Sequence, residues 1–170
     1  MRSSAEKVAY TSVFVCVALM LSYLESFLPY LPIPGFKPGL ANLAVMISYF
    51  CLGLTAAATV SVCRILLSSL LFGSPVSLIF SLVGGILSLG VLALYGKLMK
   101  RVIGAVGLGV LCAAIHCVGQ CIAASALYGA PLLFTYLPWL LVLSVATGAL
   151  TGALTHATVG RLKLIIRSSR

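Results

Sequence analysis

The sequence predicts an all-α membrane protein, a single bundle of six transmembrane helices with both chain ends in the cytoplasm. Apolar residues make up 62% of the 170 residues and charged residues only 8%. Apolar stretches long enough to cross a bilayer recur along the chain, and the basic residues lie almost entirely in the connections and at the ends. A fold in water cannot bury so large an apolar fraction, so a lipid-embedded class is predicted.

The predicted spans are approximately residues 8–28, 39–52, 54–72, 76–96, 102–128 and 132–160. The first is too long for the apolar core of a signal peptide and is expected to be retained. Prolines at 29, 32, 34 and 38 exclude a helix and predict an extended connector after it. No stretch rich in Ser, Gly or charge interrupts the chain, so residues 1–170 are predicted to form one domain.

The second predicted span is unusually short. Its 14 residues reach about 21 Å, against about 30 Å for the apolar core of a bilayer. We expect it to cross with help from its flanks, sheltered inside the bundle. Gly53 is expected to end it, and Gly73 to Pro75 to form the turn before the fourth span.

The basic residues predict the orientation of the bundle. With six crossings, nine of the eleven fall on the side of the chain ends: Arg2, Lys7, Lys97, Lys100, Arg101, Arg161, Lys163, Arg167 and Arg170. Only Lys37 falls on the opposite side, and Arg64 lies within a span. Basic residues accumulate on the cytoplasmic side of membrane proteins. This topology explains the net charge of +9 better than nucleic-acid binding does.

Strongly polar side chains inside the spans are candidates for a binding site, because they are costly at membrane depth. The topology places Glu25, Asn42, Arg64, His116 and Gln120 between the midplane and the outer surface, with Lys37 above them. His116 and Gln120 are four residues apart and share a helix face. The pattern predicts a polar pocket that opens outward. The alternative is architectural, with Glu25 paired to Arg64 or Lys37 and His116 and Gln120 joining helices.

In the binding hypothesis, Arg64 and Lys37 neutralise an anionic group of the ligand. Asn42 and Gln120 orient the ligand through hydrogen bonds, and Glu25 holds Arg64 in place. No metal site or cofactor is predicted, since no second histidine or carboxylate stands at ligand spacing to His116. The six cysteines lie in apolar segments without a CxxC pattern and are predicted to be small buried apolar residues.

Small residues at four-residue spacing mark a close helix contact on the sixth span. Gly148 and Gly152 share one face, and such faces let helix backbones approach. Packing within the chain is one interpretation. The other is a docking face for a second membrane subunit, extended by Ala5 and Ala9 at the start of the first span.

Several segments together resemble a known family, and they extend over nearly the whole chain. These are LSYLES at 21–26, PIPGFKPGLAN at 32–42, Arg64 with SSLLFG at 68–73, FSLVGG at 80–85, and His116 with Gly119 and Gln120. They resemble the Gx transporter family, whose members are labelled heptaprenyl diphosphate synthase component I and share the fold class of the S components of energy-coupling factor (ECF) transporters. Phe36 and Pro38 depart from the pattern, where aliphatic residues are expected.

The resemblance implies a substrate-binding subunit in the bacterial plasma membrane that takes up a small molecule, such as a vitamin or cofactor precursor. It also implies a transmembrane coupling subunit and two cytoplasmic ATPases as partners. The ATPases are expected to be separate chains, because no Gly-x-x-x-x-Gly-Lys-Ser/Thr phosphate loop is present.

The chain is not predicted to be an enzyme. A prenyl diphosphate synthase needs carboxylates for Mg²⁺, whereas this chain has no Asp and two Glu on opposite predicted sides. No Ser, Cys or Thr stands in a recognisable arrangement with a His and an acid. The alternative function is a non-catalytic membrane accessory of isoprenoid or quinone (heptaprenyl diphosphate) synthesis, or a scaffold of a membrane redox complex.

Overall fold

The part of the chain described by the computed structural model is helical almost throughout. It comprises residues 4–27, 37, 39–100, 102–129 and 133–168, and none of these lies in a strand. The helices are α1 (Ser4–Ser26), α2 (Asn42–Leu52), α3 (Leu54–Leu71), α4 (Pro75–Leu94), α5 (Ala105–Tyr128) and α6 (Leu133–Ser168), with a π-helical turn at Tyr95–Met99 after α4. The all-α class predicted from the sequence is confirmed.

Five of these helices are long and apolar enough to cross a membrane, so the protein is a multi-pass membrane protein. The exception is α2, whose 11 residues extend about 16 Å. The predicted extended connector at 28–36 and 38 lies outside the described residues.

Two helices continue beyond their predicted ends. The first begins at Ser4 rather than at residue 8, with Glu6 in its first turn, where a carboxylate stabilises the helix dipole. The sixth continues to Ser168 rather than ending at 160. Neither extension is apolar, but neither contains a proline or an internal glycine that would stop a helix.

The turns between helices follow the predicted chemistry. Gly53 separates α2 from α3 with φ of 98°, a conformation that favours glycine. Ser74 precedes α4, and its Oγ accepts the backbone N–H of Ser77 at 3.1 Å. Pro75 is the first residue of that helix, a position that does not need an N–H donor. Both predicted helix breaks, at Gly53 and at 73–75, are confirmed.

The helices form a ring in which α2 connects α6 to α1 and α3. Along the ring, α1 contacts α3, α3 contacts α4, α4 contacts α5 and α5 contacts α6, while α2 contacts α1, α3 and α6. Six of its eleven residues are buried, namely Asn42 and 44–48. The prediction that the short second segment is sheltered by the bundle is therefore confirmed.

Helices that follow one another in the sequence alternate in direction. Lys7 of α1, Leu52 at the end of α2 and Thr55 at the start of α3 line one groove, which defines the Lys7 end of the bundle. At the opposite end, here the Tyr23 end, the rings of Tyr23 and Phe72 lie 5.4 Å apart. Phe80 and Tyr128 pair there as well, at 6.4 Å.

The cysteines are not all buried. Cys112, Cys117 and Cys121 of α5 lie in the core, as predicted. Cys16 is exposed on α1, because that helix lies at the periphery of the bundle. Only 22% of its most apolar 18-residue stretch is buried. Cys51 and Cys63 are half-buried.

The glycines of α6 pack against α5 within the chain. A Cβ on Gly148 would lie 2.6 Å from Val110 Cα, and one on Gly152 would lie 2.6 Å from Val106 Cα. The structure therefore supports intrachain packing for Gly148 and Gly152, and these two residues present no surface to a second subunit. Ala5 and Ala9 are exposed.

Candidate functional site

Glu25 anchors the end of α1 to the turn that leads into α2. Its carboxylate is 4% exposed. Oε1 accepts the backbone N–H of Leu40, and the N–H of Ala41 also faces the carboxylate. A carboxylate at the start of a helix receives N–H groups that have no partner within the helix. Glu25 was expected to hold Arg64, but its hydrogen bonds go to this backbone turn.

Arg64 brings a positive charge into the middle of α3. It is 3% exposed, and its Nη2 donates to Asn42 Oδ1 over a long 3.4 Å. The described residues contain no ion pair within 4.0 Å between Arg64 and Glu25, although the two charges act on each other electrostatically. The first residue of α2 and the middle of α3 are thus joined by a weak hydrogen bond.

His116 and Gln120 form a second polar pair on α5. Their Nε2 atoms lie 3.1 Å apart, and the side chains are 3% and 1% exposed. His116 fits because Gly84 of α4 has no side chain. A Cβ there would lie 2.9 Å from His116 Nδ1 and 2.7 Å from the His116 carbonyl oxygen. Gly84 was not predicted to belong to the site, although the Gly84-Gly85 pair in an apolar helix indicates close helix packing.

Two residues before α2 connect these pairs. A Cβ on Gly39 would lie 3.2 Å from Asn42 Nδ2 and 4.0 Å from His116 Cδ2, so the turn passes between α2 and α5. Lys37 is half-buried and lines a cavity together with His116 and Ser144. Burial lowers the pKa of Lys37 below its ordinary value, and the nearby Glu25 carboxylate partly opposes this shift.

All six residues predicted for the site therefore meet at the Tyr23 end of the bundle. We call them the polar cluster: Glu25, Lys37, Asn42, Arg64, His116 and Gln120. They come from α1, α2, α3, α5 and the segment before α2. The structure brings together every side chain that the sequence selected.

Several atoms of the polar cluster are buried without a hydrogen-bond partner among the described residues. These are Glu25 Oε2, Asn42 Nδ2, Arg64 Nε, His116 Nδ1 and Gln120 Oε1. Leaving a buried polar atom unpaired costs about 1–3 kcal/mol, and more for a charged group. The arrangement holds unused hydrogen-bonding capacity in the interior of an apolar bundle.

Small cavities flank the cluster on two sides. One has no room for a water molecule and is lined by Lys37, His116 and residues of α5 and α6. The other is lined by Asn42, Ser61, Ser88 and residues of α2 to α5. Its free space is about that of one water molecule. Every residue of the polar cluster except Lys37 is buried, and the outward opening of the site stays a prediction.

A larger groove, which was not predicted from the sequence, runs between α1 and α3 from the Lys7 end as far as Leu67. It has a volume of about 530 Å³ and is lined by apolar and small residues, with Lys7 at one end. Its small side chains include Ser12 and Ala56. Such residues in apolar helices were a usable signal for this groove.

The comparison with protein families covers both the helices and the cluster. The sequence profile of heptaprenyl diphosphate synthase component I matches residues 14–158. The chain belongs to this family. The matched range includes all six residues of the polar cluster and confirms the resemblance seen in the sequence. As a heptaprenyl diphosphate synthase component I protein, the chain is a membrane component whose family name implies partner subunits. Comparisons with curated proteins and with solved structures find no significant match.

Proposed function

We propose that the chain is a membrane-embedded substrate-binding subunit, similar to an ECF transporter S component, that takes up a small molecule such as a vitamin or cofactor precursor. The observation that carries the proposal is the polar cluster, in which charged and polar side chains from four helices converge and leave buried atoms unpaired. Ionisable groups inside a membrane bundle face binding sites or each other. Here Glu25 and Arg64 do not form an ion pair with each other among the described residues.

The proposal includes six crossings with both chain ends in the cytoplasm of a bacterial cell. The distribution of basic residues supports it, because Lys7, Lys97, Lys100 and Arg161 belong to helix ends at the Lys7 end. Basic residues favour the cytoplasmic side. The polar cluster then faces outward, where it meets its substrate first.

Partners complete the transport cycle in this proposal. A transmembrane coupling subunit docks on the bundle, and two cytoplasmic ATPases supply the energy. The exposed Ala5 and Ala9 are proposed to belong to the docking face, since small residues let a partner helix approach closely. Gly148 and Gly152 are not included, because α5 covers them.

The subunit is proposed to be non-catalytic. Glu6 and Glu25 are the only acidic side chains of the chain. They stand 19 residues apart on α1, about 28 Å along the helix axis. A Mg²⁺ cluster for diphosphate chemistry needs several carboxylates within a few ångströms of each other.

A second candidate function is a non-catalytic accessory of heptaprenyl diphosphate synthesis. The family name favours it, and so does the groove of about 530 Å³ between α1 and α3. An apolar groove with a lysine at one end suits a lipidic chain that ends in an acidic group.

Affinity purification of the tagged chain from its own membranes separates these functions. Copurifying ATPases and ATP-dependent uptake into proteoliposomes support the transport subunit. A soluble, Asp-rich synthase in their place supports the accessory function, and flavin or iron–sulfur proteins support a redox scaffold. Ala5→Leu with Ala9→Leu should release the coupling subunit, whereas Val13→Leu, also exposed on α1, serves as the control.

A further inference from the structure

The unpartnered atoms of the polar cluster include both hydrogen-bond acceptors and hydrogen-bond donors, so a ligand that pairs with them needs groups of both kinds. Glu25 Oε2 is a charged acceptor, whereas Arg64 Nε is a charged donor and Asn42 Nδ2 a neutral donor. All three side chains are at most 6% exposed. The orientation of the Asn42 amide follows from its partner, because a guanidinium can only donate and must therefore meet Oδ1.

The charges of the cluster are unbalanced. Arg64 and Lys37 contribute two positive charges and Glu25 one negative charge, which leaves one positive charge within the bundle. Ionised groups taken out of water need a counter-charge and hydrogen bonds. A ligand that carries one net negative charge supplies both.

The size of the site restricts the ligand further. The flanking cavities leave room for at most about one water molecule. They are lined by packed side chains of α2 to α6 and by Lys37, and these side chains must move apart to admit a ligand. A compact molecule is therefore favoured over a long lipidic one.

From these observations we infer that the ligand is a small organic anion that also carries an uncharged O–H or N–H donor, as hydroxy acids do. Its acid group binds Arg64 Nε and Asn42 Nδ2, with Lys37 as the second cation. Its donor group binds Glu25 Oε2, the oxygen that the backbone turn before α2 leaves free. Glu25 thus contacts the ligand as well as the backbone. The inference rests on the proposed function only in requiring that the polar cluster binds a ligand.

The first test determines the chemistry of the compound that purifies with the wild-type chain. The compound is released by denaturation and analysed by mass spectrometry in both ion modes, in H₂O and in D₂O. The expected compound is an anion with at least one exchangeable hydrogen besides its acid proton. A permanent cation, or a neutral apolar compound, contradicts the inference. Because the partners play no part in this test, its outcome is separate from the copurification result that decides the transport function.

The second test uses defined probes and covers the case in which no compound is retained. Thermal unfolding in detergent is followed with glycolate, which carries an acid and a donor, with acetate, which lacks the donor, and with ethanolamine, which lacks the acid. Glycolate should stabilise the wild type more than acetate does, and ethanolamine should have no effect.

Glu25→Gln supplies the specific variant, because the amide keeps one oxygen for Leu40 but removes the charged acceptor. It should weaken binding of the donor-bearing acid by about 10- to 100-fold, the loss expected for one charged hydrogen bond, and leave acetate binding equal or tighter. Glu6→Gln, the same change at the Lys7 end, is the control. Equal effects of glycolate, acetate and ethanolamine, or no stabilisation by any probe and no retained compound, overturn the inference and assign the unpaired atoms to bound water.

Discussion

Gly84→Ala should separate α4 from α5 at the polar cluster. The added Cβ would lie 2.7 Å from the backbone oxygen of His116 and 2.9 Å from its Nδ1. A backbone oxygen in a packed helix cannot move aside, so the helices must part or His116 must turn. Overpacking of this kind costs about 1–3 kcal/mol, which shifts the unfolding equilibrium by about 5- to 150-fold.

The matched control is Gly90→Ala, six residues later on α4, where an added Cβ meets nothing within 4 Å. Both variants gain the same helix propensity, about 0.5–1 kcal/mol for Ala over Gly in soluble helices, so their difference isolates the contact. Reversible unfolding in mixed micelles, followed by circular dichroism, measures it. Equal stability of the two variants would refute the packing of His116 on Gly84.

Three further predictions concern other parts of the bundle. Gly148→Ala should destabilise the chain by about 1–3 kcal/mol in the same assay, whereas Gly160→Ala, with open space around it, should not; equal effects would contradict the packing of α5 on α6. Ser74→Ala removes the helix cap that accepts the Ser77 N–H and should lower the free energy of unfolding by about 1 kcal/mol, whereas Ser74→Asp retains a cap and should not. An alanine variant as stable as the wild type would show that the cap contributes nothing. Burial lowers the pKa of Lys37 in the folded chain, so between that pKa and the ordinary lysine value of 10.5 the unfolded chain binds more protons than the folded one. The free energy of unfolding should therefore rise as the pH increases toward 10.5. Lys37→Met should remove this rise, and a variant with the same pH profile as the wild type would contradict the burial of the amine.

Much of the fold can be predicted from the sequence, because a helix that crosses the bilayer needs a long apolar segment. Gly53 and the turn at 73–75 mark helix breaks by backbone chemistry that does not depend on the rest of the fold. The helix extensions at the start of α1 and the end of α6 contain charged residues, so a search for uninterrupted apolar segments does not detect them.

The members of the polar cluster can also be predicted from the sequence, because charged and amide side chains are rare in apolar helices. Their hydrogen-bond partners cannot be predicted in this way. That Glu25 meets the backbone of Leu40 rather than Arg64 depends on how α1 and α2 are rotated. The glycines of α6 predict a close helix contact, but only the folded structure shows that the contacting helix is α5.

Native mass spectrometry of the purified chain tests most directly whether the polar cluster holds a ligand. The wild type is compared with the double variant Arg64→Leu and Gln120→Leu, after circular dichroism has shown that both are helical. Arg161→Leu, an exposed position on α6, is the control for loss of a charge. The predicted result is a bound small molecule on the wild type and the control that is missing from the double variant. The same bound mass on all three proteins would place the ligand elsewhere.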